Sequence, residues 1–213
     1  MERSIVMTSE EAAWVARAKA GDQAAFAELF TRYERRIYSF IYRMMGNPED
    51  AFDLTQETFL KAYRALGKTD AELNVNAWLH RIAANACTDV LRRRRWVRWL
   101  PWEALDRDDL GERLDGDPAD ALLGAETRQA VQRTLLSQPP HYRRALLLRE
   151  HEGLSCEELG AALGLSAAAA KSLLFRARED FRRRYGAGGL ASDGGAATDG
   201  RRSGRTMARP GSD

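Results

Sequence analysis

Positive charge is concentrated at two points of the chain, Arg92 to Arg95 and Arg182 to Arg184. Guanidinium groups bind phosphate oxygens through charge-assisted, often bidentate hydrogen bonds, so such clusters suit an anionic polymer. The other reading of either run is a solvated helix end, where cations complement the negative pole of the helix dipole. Lys171, Arg176 and Arg178 lead into the second run. Asp53, Glu57, Lys61 and Arg64 recur at four- and three-residue steps and would form one mixed-charge stripe on a helix. That stripe is either an exposed face supported by a Glu57–Lys61 pair or a surface on which another protein docks. The residues of covalent or metal chemistry lack the spacing they need. His80, His141 and His151 form no HExxH-type pattern, and there is no Gly-rich phosphate loop or nucleophile elbow. Cys87 and Cys156 make no CxxC pair and read as small, half-buried residues of a reducing compartment. Neither an enzyme, a cofactor nor a metal is expected.

The elements that must hold these residues are helices. The 213 residues are 44% hydrophobic and 30% charged, with a formal net charge of +2, a composition that suits a charge-rich helical protein. Net charge this small says little about partners; its segregation says more, because the stretch from Glu103 to Glu126 between the basic runs is mostly acidic. Trp14, Val15 and Ala18 make a short amphipathic opening that ends at Gly21. Asp22 can cap a long helix in which Phe26, Phe30, Tyr33, Ile37, Ile41 and Met44 recur at helical steps up to Gly46. Asn47-Pro48 restarts the chain into a helix reaching Leu66. A polar loop over 67–76 precedes a helix over 77–95, and the acidic, glycine-containing stretch 101–116 reads as a linker. A second group of helices is expected over 119–138, 140–152, 155–163 and 166–185. From Gly186 onward almost nothing large and apolar remains, and that tail is expected to be disordered. The fold class is all-α, in two small helical domains. No secretory pattern opens the chain and no apolar run approaches the ~18 residues of a membrane span, so a soluble cytoplasmic protein without membrane insertion is expected.

The strongest local signal runs from Ser155 to Ser166. Ser155 and Glu158 have capping-box spacing. Leu159 and Leu163 face inward, Gly160 permits close approach of a neighbouring helix, and Gly164 stands where a left-handed residue would end the helix. Leu165 fills the corner and Ser166 caps the next helix. Together they form the helix-turn-helix pattern. The small residues Ala167 to Ala170 open the second helix and allow entry into a major groove, with Ser166, Ala167, Ala168, Lys171, Ser172, Phe175, Arg176 and Arg178 as candidate DNA contacts. Leu174 reads as core, and Phe175 as either core or a contact at the groove edge. Two helices of an ordinary bundle would explain the alanines alone, by propensity.

The segment Asp50-Ala-Phe-Asp-Leu-Thr-Gln-Glu-Thr-Phe-Leu-Lys-Ala-Tyr-Arg-Ala-Leu66 resembles the polymerase-binding helix of sigma factors. Asn76-Ala-Trp-Leu-His-Arg-Ile-Ala-Ala-Asn-Ala-Cys-Thr-Asp-Val-Leu-Arg-Arg-Arg-Arg95 resembles their promoter-melting helix, and Pro139 to Arg178 resembles their second conserved domain. Order, spacing and the short linker resemble the extracytoplasmic-function group, over about Ala25 to Tyr185. The resemblance implies a region 2-like domain over 10–98, a flexible acidic linker over 99–117, a region 4-like helix-turn-helix domain over 118–185 and a tail over 186–213. It implies a non-catalytic subunit of RNA polymerase that directs promoter-specific initiation, recognises −10 and −35 elements and assists melting. Asp53, Gln56, Glu57, Leu60, Lys61 and Arg64 would then dock on core polymerase. The pocket for an unstacked base would lie near Lys68 to Asn76, with Asn74 and Asn76 able to pair with a base edge. Asn76 is equally a helix cap. Trp78 stacks on a base or belongs to the core, and Arg81 with Arg92, Arg93, Arg94 and Arg95 would hold the displaced non-template strand by its phosphates. The implied partners are core RNA polymerase, promoter duplex with its melted strand, and an anti-sigma factor.

Four positions depart from the family's pattern. Phe52 replaces an acidic residue and either packs inside or adds an apolar docking contact. Ala169 and Ala170 replace the usual Thr and Val. Leu173 replaces an Arg, which removes one DNA contact. The alternative function is a stand-alone helix-turn-helix regulator with a sensing or dimerising bundle. Such a regulator would bind its operator without polymerase.

Overall fold

The computed structural model describes residues 8–69, 73–97 and 121–192, with side chains described through 8–69, 73–94 and 124–187. The expected linker 99–117 and the tail beyond 192 lie outside the described residues. The order is α1 Ser9–Lys19, α2 Gln23–Met45, α3 Pro48–Leu66, α4 Val75–Val97, α5 Ala121–Ser137, α6 Pro140–Leu146, a π-helical turn Leu147–His151, α7 Cys156–Leu163 and α8 Ala167–Ser192. The described residues are therefore all-α, in one cluster of α1–α4 and another of α5–α8.

Helix starts follow from side chains able to satisfy orphan amides. Thr8 and Glu11 form a capping box for α1, Asp22 accepts from Ala24 and Ala25 at the head of α2, and Asn47 accepts from Asp50 with Pro48 in the first turn of α3. Gly46 adopts φ 75°, the left-handed conformation that ends α2 without a Cβ penalty. The buried stripe of α2 is Ala25, Leu29, Tyr33, Ile37, Phe40, Ile41 and Met44. Phe26 and Phe30 lie at its margin and pack edge-on against rings of α3, Phe26 on Tyr63 at 5.0 Å between centroids and Phe30 on Phe59 at 4.7 Å.

Two expectations change. The helix expected over 140–152 is α-helical only to Leu146; it then widens into the π turn, and Gly153 at φ 72° reverses the chain. A π turn adds a residue to one turn, which re-aims the side chains after it. The expected tail, in turn, does not begin at Gly186, because α8 runs on to Ser192. Extending an existing helix costs far less than nucleating one.

The two clusters are also in contact. Leu136 of α5 seats against Gly46, where an added Cβ would meet its Cδ1 at 2.6 Å. Arg143 of α6 is 5% exposed and donates to Leu135 O at 2.8 Å, Leu136 O at 2.6 Å, Gln138 O at 3.2 Å and, across to α2, Met44 O. Burial pushes its guanidinium down to about 10. Its charge is met by carbonyls at the C-terminal ends of α5 and α2, the negative poles of both helices.

Candidate nucleic-acid interface

At the turn between α7 and α8 the Ser155–Glu158 box is complete: Glu158 N donates to Ser155 Oγ at 3.1 Å, and Ser155 N to Glu158 Oε2 at 2.7 Å. Gly164 has φ 68°, and Ser166 Oγ accepts from Ala169 N at 3.2 Å to start α8. Gly160 is buried so tightly that an added Cβ would lie 2.7 Å from Leu165 O and 3.3 Å from Ala167 N. The corner is closed by this backbone approach and by Leu165 N donating to Gly160 O at 2.8 Å. Leu165 does not fill it; its side chain is exposed.

On α8, Ala170, Leu174 and Ala177 are buried at helical steps, and the opposite side carries Ser166, Ala168, Lys171, Ser172, Phe175, Arg176 and Arg178 to solvent, with Ala167 half-buried at the edge. Phe175 is 66% exposed, so it is no core residue. Arg178 is held by Glu150 at 2.5 Å. The face is small at its head and basic along its length.

On α3, Asp53, Gln56, Leu60, Lys61 and Arg64 are exposed and Glu57 is half-buried, with Lys61 Nζ 2.6 Å from Glu57 Oε1. Phe52 and Leu60 are each 57% exposed and Tyr63 is 47% exposed beside them. Phe52 thus adds apolar surface and does not pack inside. A shallow groove between α2 and α3, lined by Phe30, Glu34, Arg35, Tyr38, Phe52, Thr55 and Gln56, adjoins this face.

The head of α4 divides the sequence candidates. Asn74 is the cap: its Oδ1 accepts from Ala77 N at 3.0 Å. Its Nδ2 donates to Glu158 Oε1 of α7 at 2.5 Å. Asn76 is 5% exposed and Trp78 7% exposed, so in this conformation both belong to the interior and neither offers an amide or a ring to a base. The cause is register. With Asn74 as cap, positions 75, 76, 78 and 79 fall on the buried side of α4. Arg81, Arg92, Arg93 and Arg94 are exposed, and the side chain of Arg95 lies outside the described residues. Arg94 makes a two-pronged pair with Asp50 at 2.6 and 2.8 Å, and Arg92 pairs with Asp89 at 3.1 Å.

One buried polar group had no sequence signal. Glu152, directly after the π turn, has its side chain fully buried, with His80 Nε2 of α4 at 3.0 Å and Arg36 of α2 at 3.7 Å. The His80 Nε2 and Glu152 Oε2 atoms face each other without hydrogen-bond alignment. His151 Nδ1 lies 2.6 Å from the other carboxylate oxygen. Burial opposes the charge of Glu152, but contacts with His151 and His80 hold its carboxyl down at about 2. His80 also hydrogen-bonds Asn76 O through Nδ1 at 2.8 Å and stands edge-on to Phe40 at 5.1 Å.

Among the described residues no group of His, Cys, Asp and Glu is arranged to hold a metal, and no single helix is long and apolar enough to cross a membrane. Cys87 is buried, which pushes its thiol up to about 12; Cys156 is half-buried.

Residues 29–97 match the family model of sigma-70 region 2, and residues 128–181 that of sigma-70 region 4. Over 170 residues the chain is 39% identical to the ECF RNA polymerase sigma factor SigE of Mycolicibacterium smegmatis, covering 76% of this chain and 63% of that protein. It is 32% identical over 170 residues to the ECF RNA polymerase sigma factor SigW of Bacillus subtilis, covering 78% of this chain and 91% of that protein. Among solved structures, CnrH in complex with the cytosolic domain of CnrY superposes with a TM-score of 0.61 at 26% identity, over 87% of this chain and 99% of that one.

Proposed function

Because the chain belongs to the extracytoplasmic-function group of RNA polymerase sigma factors, we propose that it docks on core RNA polymerase through α3 and reads a −10 element with α4 and a −35 element with α8. As a member of that family it is a non-catalytic specificity subunit acting in transcription initiation. Phosphodiester synthesis belongs to the polymerase.

The observation that carries the reading is the outer side of α3. There Phe52, Leu60 and Tyr63 remain exposed beside Asp53, Gln56, Glu57, Lys61 and Arg64. A patch of large apolar side chains rimmed by both signs of charge is the anatomy of a protein interface. Residues 10–98 form the polymerase- and −10-binding part in this reading, 118–185 the −35-binding part, and the segment between them the linker. On α8, Lys171, Arg176 and Arg178 take phosphates while Ser166, Ala167, Ala168 and Ser172 approach base edges and Phe175 lies at the groove edge. On α4, Arg81 and Arg92 to Arg95 hold the melted non-template strand by its phosphates, and Asn74 pairs with an unstacked base. Asn76 and Trp78 join that pocket only if the head of α4 is uncovered. The complex of CnrH with the cytosolic domain of CnrY supports a further protein partner, in this reading an anti-sigma factor.

In vitro transcription with purified core polymerase on a genomic promoter library tests the proposal. Glu57→Lys reverses a charge at the centre of the docking face and is expected to weaken core binding at least tenfold, about 1.4 kcal/mol. Titration of labelled chain with core polymerase reads this directly, and unchanged binding would move the docking face elsewhere. Arg176→Ala is expected to leave core affinity intact and to weaken −35 duplex binding about tenfold, uniformly across sequences, as for the loss of a phosphate contact. Equal promoter occupancy by the holoenzymes of both chains would remove Arg176 from the interface.

A further inference from the structure

We infer that the free chain pairs with a second copy of itself through the outer side of α3, antiparallel about a two-fold axis. The pairing rests on α3 alone; its consequence, competition with polymerase, rests on the docking role given to that helix under Proposed function. The buried side of α3 carries Ala51, Leu54, Thr58 and Ala62, so the opposite side points away from the chain's own core. Leu60 lies at the middle of that exposed side, with Asp53 and Arg64 along the same line towards its two ends. Phe52 and Tyr63 make one flank, and Glu57 and Lys61 make the other. Acid therefore precedes base along the helix, and the apolar and charged flanks are kept apart.

This order is self-complementary. In an antiparallel two-fold pair, each flank meets the same flank of the second copy with the ends reversed. Glu57 then faces Lys61 of the second copy, Asp53 faces its Arg64 and Phe52 faces its Tyr63. At about 1.5 Å of rise per residue all three pairs register to within roughly 4 Å along the axis, with Leu60 beside its own counterpart. A parallel pair would set Asp53 against Asp53 and the charged flank against the apolar one, so the polarity is fixed. Phe52 completes the match, since the acidic residue usual in the family at that position would face a tyrosine ring. Lys61 Nζ already lies 2.6 Å from Glu57 Oε1 within one chain, so the dimer extends that pair into a network of alternating sign. One pair of helices this short buries less than the roughly 1,200 Å² of a stable complex, and the dimer is accordingly weak, on the order of 10 μM. Polymerase and the second copy then compete for one face, so the chain's own abundance limits its availability to polymerase.

Sedimentation of the full chain between about 0.1 and 100 μM reads the pairing, and the parent is expected to pass from monomer to dimer. Glu57→Lys and Lys61→Glu each place like charges opposite one another. The two-fold axis repeats the clash, so each should weaken the dimer at least tenfold. The double variant Glu57→Lys/Lys61→Glu exchanges both signs, stays self-complementary and should return to within about threefold of the parent. A double variant no tighter than the single ones overturns the pairing. Titration with core polymerase separates this inference from the docking reading. A parent that dimerises but binds no core ends the docking reading and leaves the dimer standing. One that binds core yet stays monomeric throughout the range overturns the dimer alone. If a charge variant loses helix content, Leu60→Cys in a Cys156→Ser background decides by disulfide formation under mild oxidation. Two copies should cross-link through Leu60→Cys and not through Gln129→Cys on the exposed side of α5; absent or equal cross-linking overturns the pairing.

Discussion

Gly160→Val is expected to destabilise the helix-turn-helix by about 2–3 kcal/mol and to abolish −35 recognition while leaving core polymerase binding in place. The size follows from what surrounds the missing Cβ. Its nearest neighbours are backbone atoms of the turn, Leu165 O at 2.7 Å and Ala167 N and Ser166 C at 3.3 Å. Backbone has no rotamer with which to yield, so the turn must open, and overpacking of this kind costs about 1–3 kcal/mol or more. Opening it also breaks the Leu165 N to Gly160 O bond and shifts Ser166, the cap on which the register of α8 depends. A β-branched residue adds helix strain. Urea unfolding followed by circular dichroism, with duplex binding by the holoenzyme, measures both effects. A Val variant within about 0.5 kcal/mol of the parent that retains its promoter affinity would mean that the turn relaxes, and the close approach would lose its structural importance.

Arg143→Met is expected to cost more, about 3–5 kcal/mol, the range for removing one side of a buried charged network. The methionine approximates the volume of the arginine stem but donates nothing to Leu135 O, Leu136 O, Gln138 O and Met44 O. Buried carbonyls left without partners carry the desolvation penalty in full. Because three of those acceptors close α5 and the fourth ends α2, the loss loosens both the α5–α6 corner and its seat on the first cluster. Arg143→Lys should recover little, since an ammonium cannot span acceptors arranged for a planar fork. Chemical denaturation of the three chains decides it, and a Lys variant as stable as the parent would show that charge alone suffices there. Set against a total stability of about 5–15 kcal/mol for a typical domain, a loss of this size is a large part of the whole.

What could be read from the sequence was whatever is determined within a turn or two. Ser155, Glu158, Gly164 and Ser166 announce their own geometry because a cap or a left-handed glycine depends on neighbours three or four residues away. The buried stripe of α2 was legible for the same reason, except at Phe26 and Phe30, whose half-buried position depends on the rings of α3. Long-range chemistry was not legible. Glu152 and His80 are 72 residues apart in the chain, and nothing in the flanking residues of either distinguishes a buried contact from two solvated groups. Nothing near Arg143 in the chain marks it as buried, because two helix C-termini meet it only after folding. Asn76 and Trp78 were offered to DNA by family pattern, but the cap at Asn74 fixes a register that turns both inward. The π turn left no trace either: Leu147 to His151 would suit an ordinary helix.

Many of the arginines proposed to grip DNA already hold a carboxylate. Arg178 has Glu150, Arg94 has Asp50 and Arg92 has Asp89. Each phosphate that arrives must displace an internal anion rather than fill an empty site, so the protein sheds a partner as the nucleic acid sheds its condensed cations. A free arginine would contribute about 0.9 to the logarithmic slope of affinity against ionic strength. These paired ones lose part of their attraction to a competitor that added electrolyte weakens as well. If the chain binds promoters as proposed, its affinity is expected to fall less steeply with ionic strength than a count of its basic residues would suggest.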